Sequence, residues 1–158
     1  MSYSSVVTYT LDGAGNPVSP LYAPYNPAIG NEYTVTSAGT TTLATTVSAQ
    51  IAPVQSLANG LYIHTIKAVL SINDATTEFE KLVFILTNET GQTKAFNAIV
   101  GSATVANYQS VYTFEFSAVS KCPNASNNQF TLTAVGTFLG STTAPTITSA
   151  SLTATKIA

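Results

Sequence analysis

The chain predicts an all-β fold, an antiparallel β-sandwich built as a single jelly roll of about eight to ten strands. Period-two alternation of apolar and polar residues runs through most of the 158 residues, without sustained helical periodicity. The alternating runs are long and are separated by Gly, Pro, Asn, Asp and Ser clusters at sandwich spacing. An immunoglobulin-like sandwich is the runner-up. Its core tryptophan and cysteine pair are missing, because the chain has no Trp and one Cys.

The first expected strand is Ser5 to Leu11, with Val7, Tyr9 and Leu11 on one face, ended by the turn chemistry of Asp12 to Pro17. Val18 to Pro27 carries Pro20, Pro24 and Pro27, which forbid a central strand and predict an extended arm or surface loop. Residues 1–30 therefore read as a strand plus a Pro/Tyr-rich arm, and residues 31–158 as the sandwich. Glu32 to Ser37 is a short strand. Thr41 to Ala52 alternates with Leu43, Val47 and Ile51 on one side. Pro53 to Asn59 has room for one helical turn before Gly60. Leu61 to Asn73 is a long strand whose Tyr62, His64, Ile66, Leu70 and Ile72 share a face.

Asn73 to Thr77 is a loop, and Lys81 to Thr87 is apolar on both faces, which predicts a strand covered on both sides. Asn88 to Gln92 turns into Thr93 to Val100. Val111 to Val119 points Tyr112, Phe114, Phe116 and Ala118 inward, and Phe130 to Leu139 does the same with Phe130, Leu132, Ala134 and Phe138. Pro145 to Ile157 closes the chain.

Composition narrows the function. All five basic residues are lysines, scattered singly, and charged residues make up 8% of the chain, against about 25% in an ordinary soluble domain. Arginine is the usual residue for phosphate clamps and groove readout. Its absence, with a net charge of −2, argues against a nucleic-acid partner or an anionic membrane surface. No stretch is apolar enough to span a membrane, and Met1 to Val7 lacks the basic and apolar regions of a secretory signal. A surface so poor in charge favours association with other subunits.

Chemistry-bearing residues are few. His64 is the only histidine and sits on an apolar strand face, so it reads as a half-buried residue satisfied by a backbone group. Cys122, beside Lys121, reads as an inert thiol although the lysine would lower its pKa slightly. Glu78 and Glu80 share a face but lie at a loop edge, and Asp74 reads as a solvated loop charge. The chain is expected to be no enzyme and to need no cofactor or metal. The sequons at Asn88 and Asn124 match chance in so Asn- and Ser/Thr-rich a chain. Tyr22, Tyr25 and Tyr33 gather around the Pro-rich arm as candidate interface residues. Val83 and Ile85, on the strand apolar on both faces, join them as a contact or central-strand pair.

Gly60-Leu61-Tyr62-Ile63 opening a long strand resembles the strand start of tumour-necrosis-factor-like and complement-type trimeric heads. The ending from Ile147 to Ala158 is similar to the last strand of viral single jelly-roll proteins of the minor capsid, cement and fibre-head type. The resemblance spans roughly Gly60 to Ala158 and carries over no catalytic or ligand residue. It implies a structural virion protein at the outer shell or a vertex, self-associating as a homotrimer and meeting other capsid proteins. The alternative it leaves open is a head domain binding a host receptor or glycan, with the loops Ala106 to Gln109 and Pro123 to Asn128 as the place for it.

Overall fold

The computed structural model describes residues 9–11, 17–20, 29–74, 76–104, 110–125 and 127–158. Among them there are twelve strands and no helix: β1 Tyr9–Leu11, β2 Pro17–Pro20, β3 Glu32–Thr36, β4 Thr41–Thr42, β5 Ser48–Gln50, β6 Gln55–Leu57, β7 Gly60–Ile72, β8 Glu78–Asn88, β9 Thr93–Thr104, β10 Ser110–Cys122, β11 Asn128–Leu139 and β12 Thr146–Lys156. Among the described residues strands β1 and β2 pair only with each other, antiparallel, with Leu11 opposite Pro17 and Tyr9 opposite Pro20. In a two-stranded ribbon each strand is an edge strand, a setting that tolerates prolines.

Two five-stranded antiparallel sheets make the body. One runs β10-β7-β12-β3, with β4 also on β12; the other runs β5-β11-β8-β9, with β6 also on β11. Strands β3 and β4 share one lane beside β12, and β5 and β6 share one lane beside β11. Numbering these lanes in chain order gives 1-8-3-6 in the first sheet and 2-7-4-5 in the second. That interleaving is the double Greek key of a jelly roll.

The short strands follow from the crossing between sheets. Thr41 to Ala52 is not one strand: the chain leaves β12 after Thr42 and joins β11 at Ser48, with Thr46 at a positive φ of 62° in the corner. Leu43 and Ile51 are buried as expected, but Val47 lies on that corner and is 55% exposed. Pro53 to Asn59 forms no helical turn. Gln55–Leu57 pairs with Asn128–Phe130, because β11 extends past β5 and offers open backbone groups to whatever follows.

The core lies between the sheets. Phe84 from β8, Leu132 from β11, Ile66 and Leu70 from β7 and Leu152 from β12 are completely or almost completely buried. Each such side chain contributes about 1.5–3 kcal/mol of transfer free energy. The inward faces expected on β7 and β11 are the observed ones. On β10, Phe114, Phe116 and Ala118 are only partly covered and Tyr112 is 40% exposed. Strands β9 and β10 are the outer strands of their sheets on the same side of the sandwich, and among the described residues no further strand closes the gap.

Candidate functional site

The buried polar residues converge on His64. Its side chain is fully buried, with the ring stacked at a tilt over Phe130, centroids 4.4 Å apart. Nε2 lies 3.1 Å from Gln55 Oε1, and Nδ1 lies 3.0 Å from Ser120 Oγ. The protons can be placed by elimination. Gln55 Nε2 donates to the backbone oxygens of Tyr33 and Leu152 at 2.6 and 3.1 Å, so its Oε1 must be the atom facing the imidazole. Nε2 of His64 therefore carries the proton and donates, and Nδ1 accepts from the Ser120 hydroxyl. Burial, then the nearby Lys94 ammonium, lower the His64 pKa from 6.5 to about 4. The partners of His64 are thus side chains, not the backbone group expected. The chain of bonds crosses the sandwich, from β10 through β7 to β6 and back to β3 and β12.

Ser120 also lines a cavity of about 360 Å³, together with Asn88, Gln92, Thr93, Lys94, Lys121 and Phe130. It opens where the β8–β9 turn overhangs the end of β10. Gly91 at φ 81° and the Asn88 carboxamide shape that turn: Asn88 Oδ1 accepts from the backbone of Thr90 and Gln92 at 3.1 and 2.8 Å. Lys94, inward-facing on β9, reaches across the mouth to donate to the Val119 carbonyl on β10. A second cavity of about 320 Å³ lies further along the same gap, against Phe79, Ile99, Tyr112 and Phe114.

Asp74 is no solvated charge. It is 8% exposed, and its Oδ1 accepts from Thr76 N and Oγ1 at 2.9 and 2.6 Å. Its Oδ2 accepts from the Thr142 amide, from Thr142 Oγ1 at 2.6 Å and from Thr143 N at 3.1 Å. The hydroxyl of Thr142, then that of Thr76, then their amides hold its carboxyl well below the usual carboxylate range. The carboxylate fastens the β7–β8 loop to the β11–β12 loop. Glu78 and Glu80 are exposed as expected. Cys122 is a buried thiol, pushed up to about 11 by burial and by Glu89 against a smaller opposing effect of Lys156. The depression expected from Lys121 is therefore reversed, and the raised pKa keeps the thiol protonated at neutral pH. No cluster of three or more metal-ligating side chains occurs among the described residues.

Of the candidate interface residues that the structure describes, Tyr33 and the Val83–Ile85 pair lie on different sheets. Tyr22 and Tyr25 lie outside the described residues, as do the loop residues 106–109. Tyr33 is exposed on β3, at the edge of the first sheet, its ring edge-on to Tyr62 with centroids 6.2 Å apart. Val83 and Ile85 face outward from β8 in the second sheet, Val83 only 7% exposed between its strand neighbours. Their cross-strand partners are Val135 and Thr133 on β11 and Asn97 and Ala95 on β9. With Thr87, Thr131 and Thr93 they make an outer face without a charged residue until Lys81 at its end. The first sheet's outer face is instead hydroxyl-rich along β12, with a Thr34–Thr153 hydroxyl pair at 2.9 Å and one exposed ion pair, Lys67 to Glu115 at 3.6 Å.

No known family's sequence profile matches the chain, and no curated protein matches it by sequence. Among solved structures it is similar to infectious bursal virus-derived T=1 particles, at 11% identity and a TM-score of 0.49, over 94% of this chain and 36% of that one. The VP2 subviral particle of infectious bursal disease virus is similar at 12% identity and a TM-score of 0.49, over 94% and 37%. The Gx strain of that virus follows at 14% identity and a TM-score of 0.44, over 80% and 37%. This chain spans little more than a third of the length of those it matches.

Proposed function

We propose that this chain is a structural protein of a virus particle, a minor capsid, cement or vertex component that works through contacts between subunits. The observation that carries the reading is the outer face of the second sheet. Val83, Ile85, Val135, Ala95 and the surrounding threonines give an uncharged four-lane surface, and the centres of protein interfaces are depleted in charge in the same way. An arginine-free chain with 8% charged residues supports it, as does the jelly-roll topology. A non-enzymatic role is supported by the His64 network, in which a neutral amide stands where a general-base histidine would have a carboxylate. Association is proposed to be homotrimeric, with residues 1–30 reaching to a neighbour.

Native mass measured in dilute solution and with co-expressed virion proteins tests this. Ile85→Lys and Thr133→Lys place charges on the outward face without entering the core, and each should abolish assembly while leaving the β-sheet circular dichroism unchanged. Deleting residues 1–30 should leave a folded domain that fails to assemble. Lysine variants that assemble like wild type would remove this face from the interface, and an unaffected deletion would remove the arm.

A further inference from the structure

Strand β10 is the one long, regular and open edge of the sandwich among the described residues. The edge lanes β3/β4 and β5/β6 are broken into short pieces, and β9 is offset against β8 by two register shifts. Short strands and bulges are the ordinary means of blunting an edge, and β10 has neither. It runs against β7 without a break in register, from Ser110 opposite Ile72 to Cys122 opposite Gly60, and contains no proline.

The backbone groups it offers follow from β7. Leu61 bonds on the β12 side: its N–H donates to the Ala158 carbonyl at 2.7 Å, and its carbonyl accepts from Ile157 N at 2.8 Å. The odd-numbered residues of β7 therefore point their backbone groups toward β12, and the even-numbered ones toward β10. Even residues of β10 lie opposite the even residues of β7. The odd ones, from Val111 to Lys121, turn both N–H and C=O to the open edge. Among the described residues only the Val119 carbonyl is taken there, by the Lys94 ammonium. On the inner face of the same stretch Tyr112 is 40% exposed, and Phe114 and Phe116 are half-buried.

We propose that β10 pairs antiparallel with β10 of a second copy about a two-fold axis at Phe114, joining the two first sheets into one. Such a contact is isologous, each copy giving the same strand. The axis position is set by charge and by Lys94. An axis at Glu115 puts the two glutamates opposite each other, which is destabilising. One at Phe116 or beyond draws in the Val119 carbonyl that Lys94 already holds, and one at Thr113 leaves the Ser117 groups unmet. At Phe114 the backbone bonds are exchanged between Val111 and Ser117 and between Thr113 and Glu115, each pair occurring twice. On the inner face Phe114 meets Phe114 of the second copy and Tyr112 meets its Phe116. The half-covered aromatic row is thereby closed by its own symmetry mate, and cross-strand aromatic pairs stabilise a sheet. The contact uses no residue of the second sheet's outer face and stands whether or not that face associates.

The test is sedimentation equilibrium of the full chain from about 1 μM to about 1 mM, with amide hydrogen exchange at both ends of that range. The native mass should double with concentration. The amides of Thr113, Glu115 and Ser117 should be protected only in the concentrated sample, and those of Phe114 and Phe116, bonded to β7, in both. Thr113→Pro removes an N–H that β7 does not use, so the strand survives as an edge while the doubling is lost. Thr113→Glu, placed opposite Glu115 of the second copy, should weaken the pairing about tenfold, and Thr113→Lys should strengthen it. Thr36→Glu, on the opposite edge of the same sheet, should change nothing. A native mass that does not double, or odd-numbered amides that exchange freely in the doubled species, overturns the proposal. Protection of those amides in the dilute sample overturns it too, because another segment of this chain then covers the edge. Wild-type behaviour of both charged variants, with Thr113→Pro disrupted, overturns the axis at Phe114.

Discussion

Lowering the pH from 7 toward 4 should destabilise this protein through a single imidazole. His64 is the only histidine and is fully buried, with a folded-state pKa of about 4 against an ordinary 6.5. Between those values the unfolded chain binds a proton that the folded chain refuses, so the unfolded state gains with every step down in pH. The slope approaches about 1.4 kcal/mol per pH unit in mid-window, and the integrated loss reaches about 2.5 kcal/mol by pH 4.5 and about 3 kcal/mol in all. Above about pH 7.5 the contribution is flat. Urea unfolding at half-unit steps from pH 7.5 to 4.5, with the free energy extrapolated to water at each pH, measures it directly. His64→Gln should lower stability at neutral pH, because the bond to Ser120 or Gln55 is misplaced, yet its profile over the same window should be nearly level. A wild-type slope under about 0.3 kcal/mol per unit between pH 6.5 and 5 would mean that water or a carboxylate stabilises the imidazolium, which refutes the proton placement argued from Gln55.

Two further substitutions probe the frame. Asp74→Asn replaces an acceptor of the Thr142 and Thr143 amides by an amino group or breaks the Thr76 turn; it should lower the melting temperature and speed proteolysis in the 140–144 loop. It should also remove the stability loss that wild type shows below about pH 4, where a depressed carboxylate is finally protonated and its folded-state advantage disappears. Gly60→Ala puts a methyl 2.5 Å from Lys156 Cε and 2.8 Å from the Ala158 carbonyl at a backbone φ of +147°. A loss of about 1–3 kcal/mol is expected, against no measurable change for Gly39→Ala, where nothing lies within 4 Å. Equal melting temperatures for the two glycine variants would show that the β7 start and the chain end are not packed together.

The sheet fold was legible because alternation reports burial wherever a strand is long. Strands β7 and β11 each bury every second residue over most of their length, β10 half-covers every second one along its middle, and a one-residue error would turn the whole face outward. Short segments carry too few residues for that signal. Val47 alternates correctly with Leu43 and Ile51 yet faces solvent, because the chain changes sheets there. Gln55–Leu57 becomes a strand only because β11 has open hydrogen-bonding groups beside it.

The candidate site divides along the same line. Composition argued against arginine phosphate clamps and multi-histidine metal sites and pointed to a surface suited to association. Position along a strand was enough to send His64 inward. Its partners come from 9 and 56 residues away, and the donors to Asp74 at Thr142 and Thr143 from 68 and 69, distances over which no local pattern carries information. The same is true of Lys94 and Lys121, which read as isolated charges along the chain. Hydrophobic patterning is a one-dimensional property and survives in the sequence. Hydrogen-bond pairing and the sharing of a cavity depend on which strands the jelly roll lays side by side, and tertiary structure alone decides that.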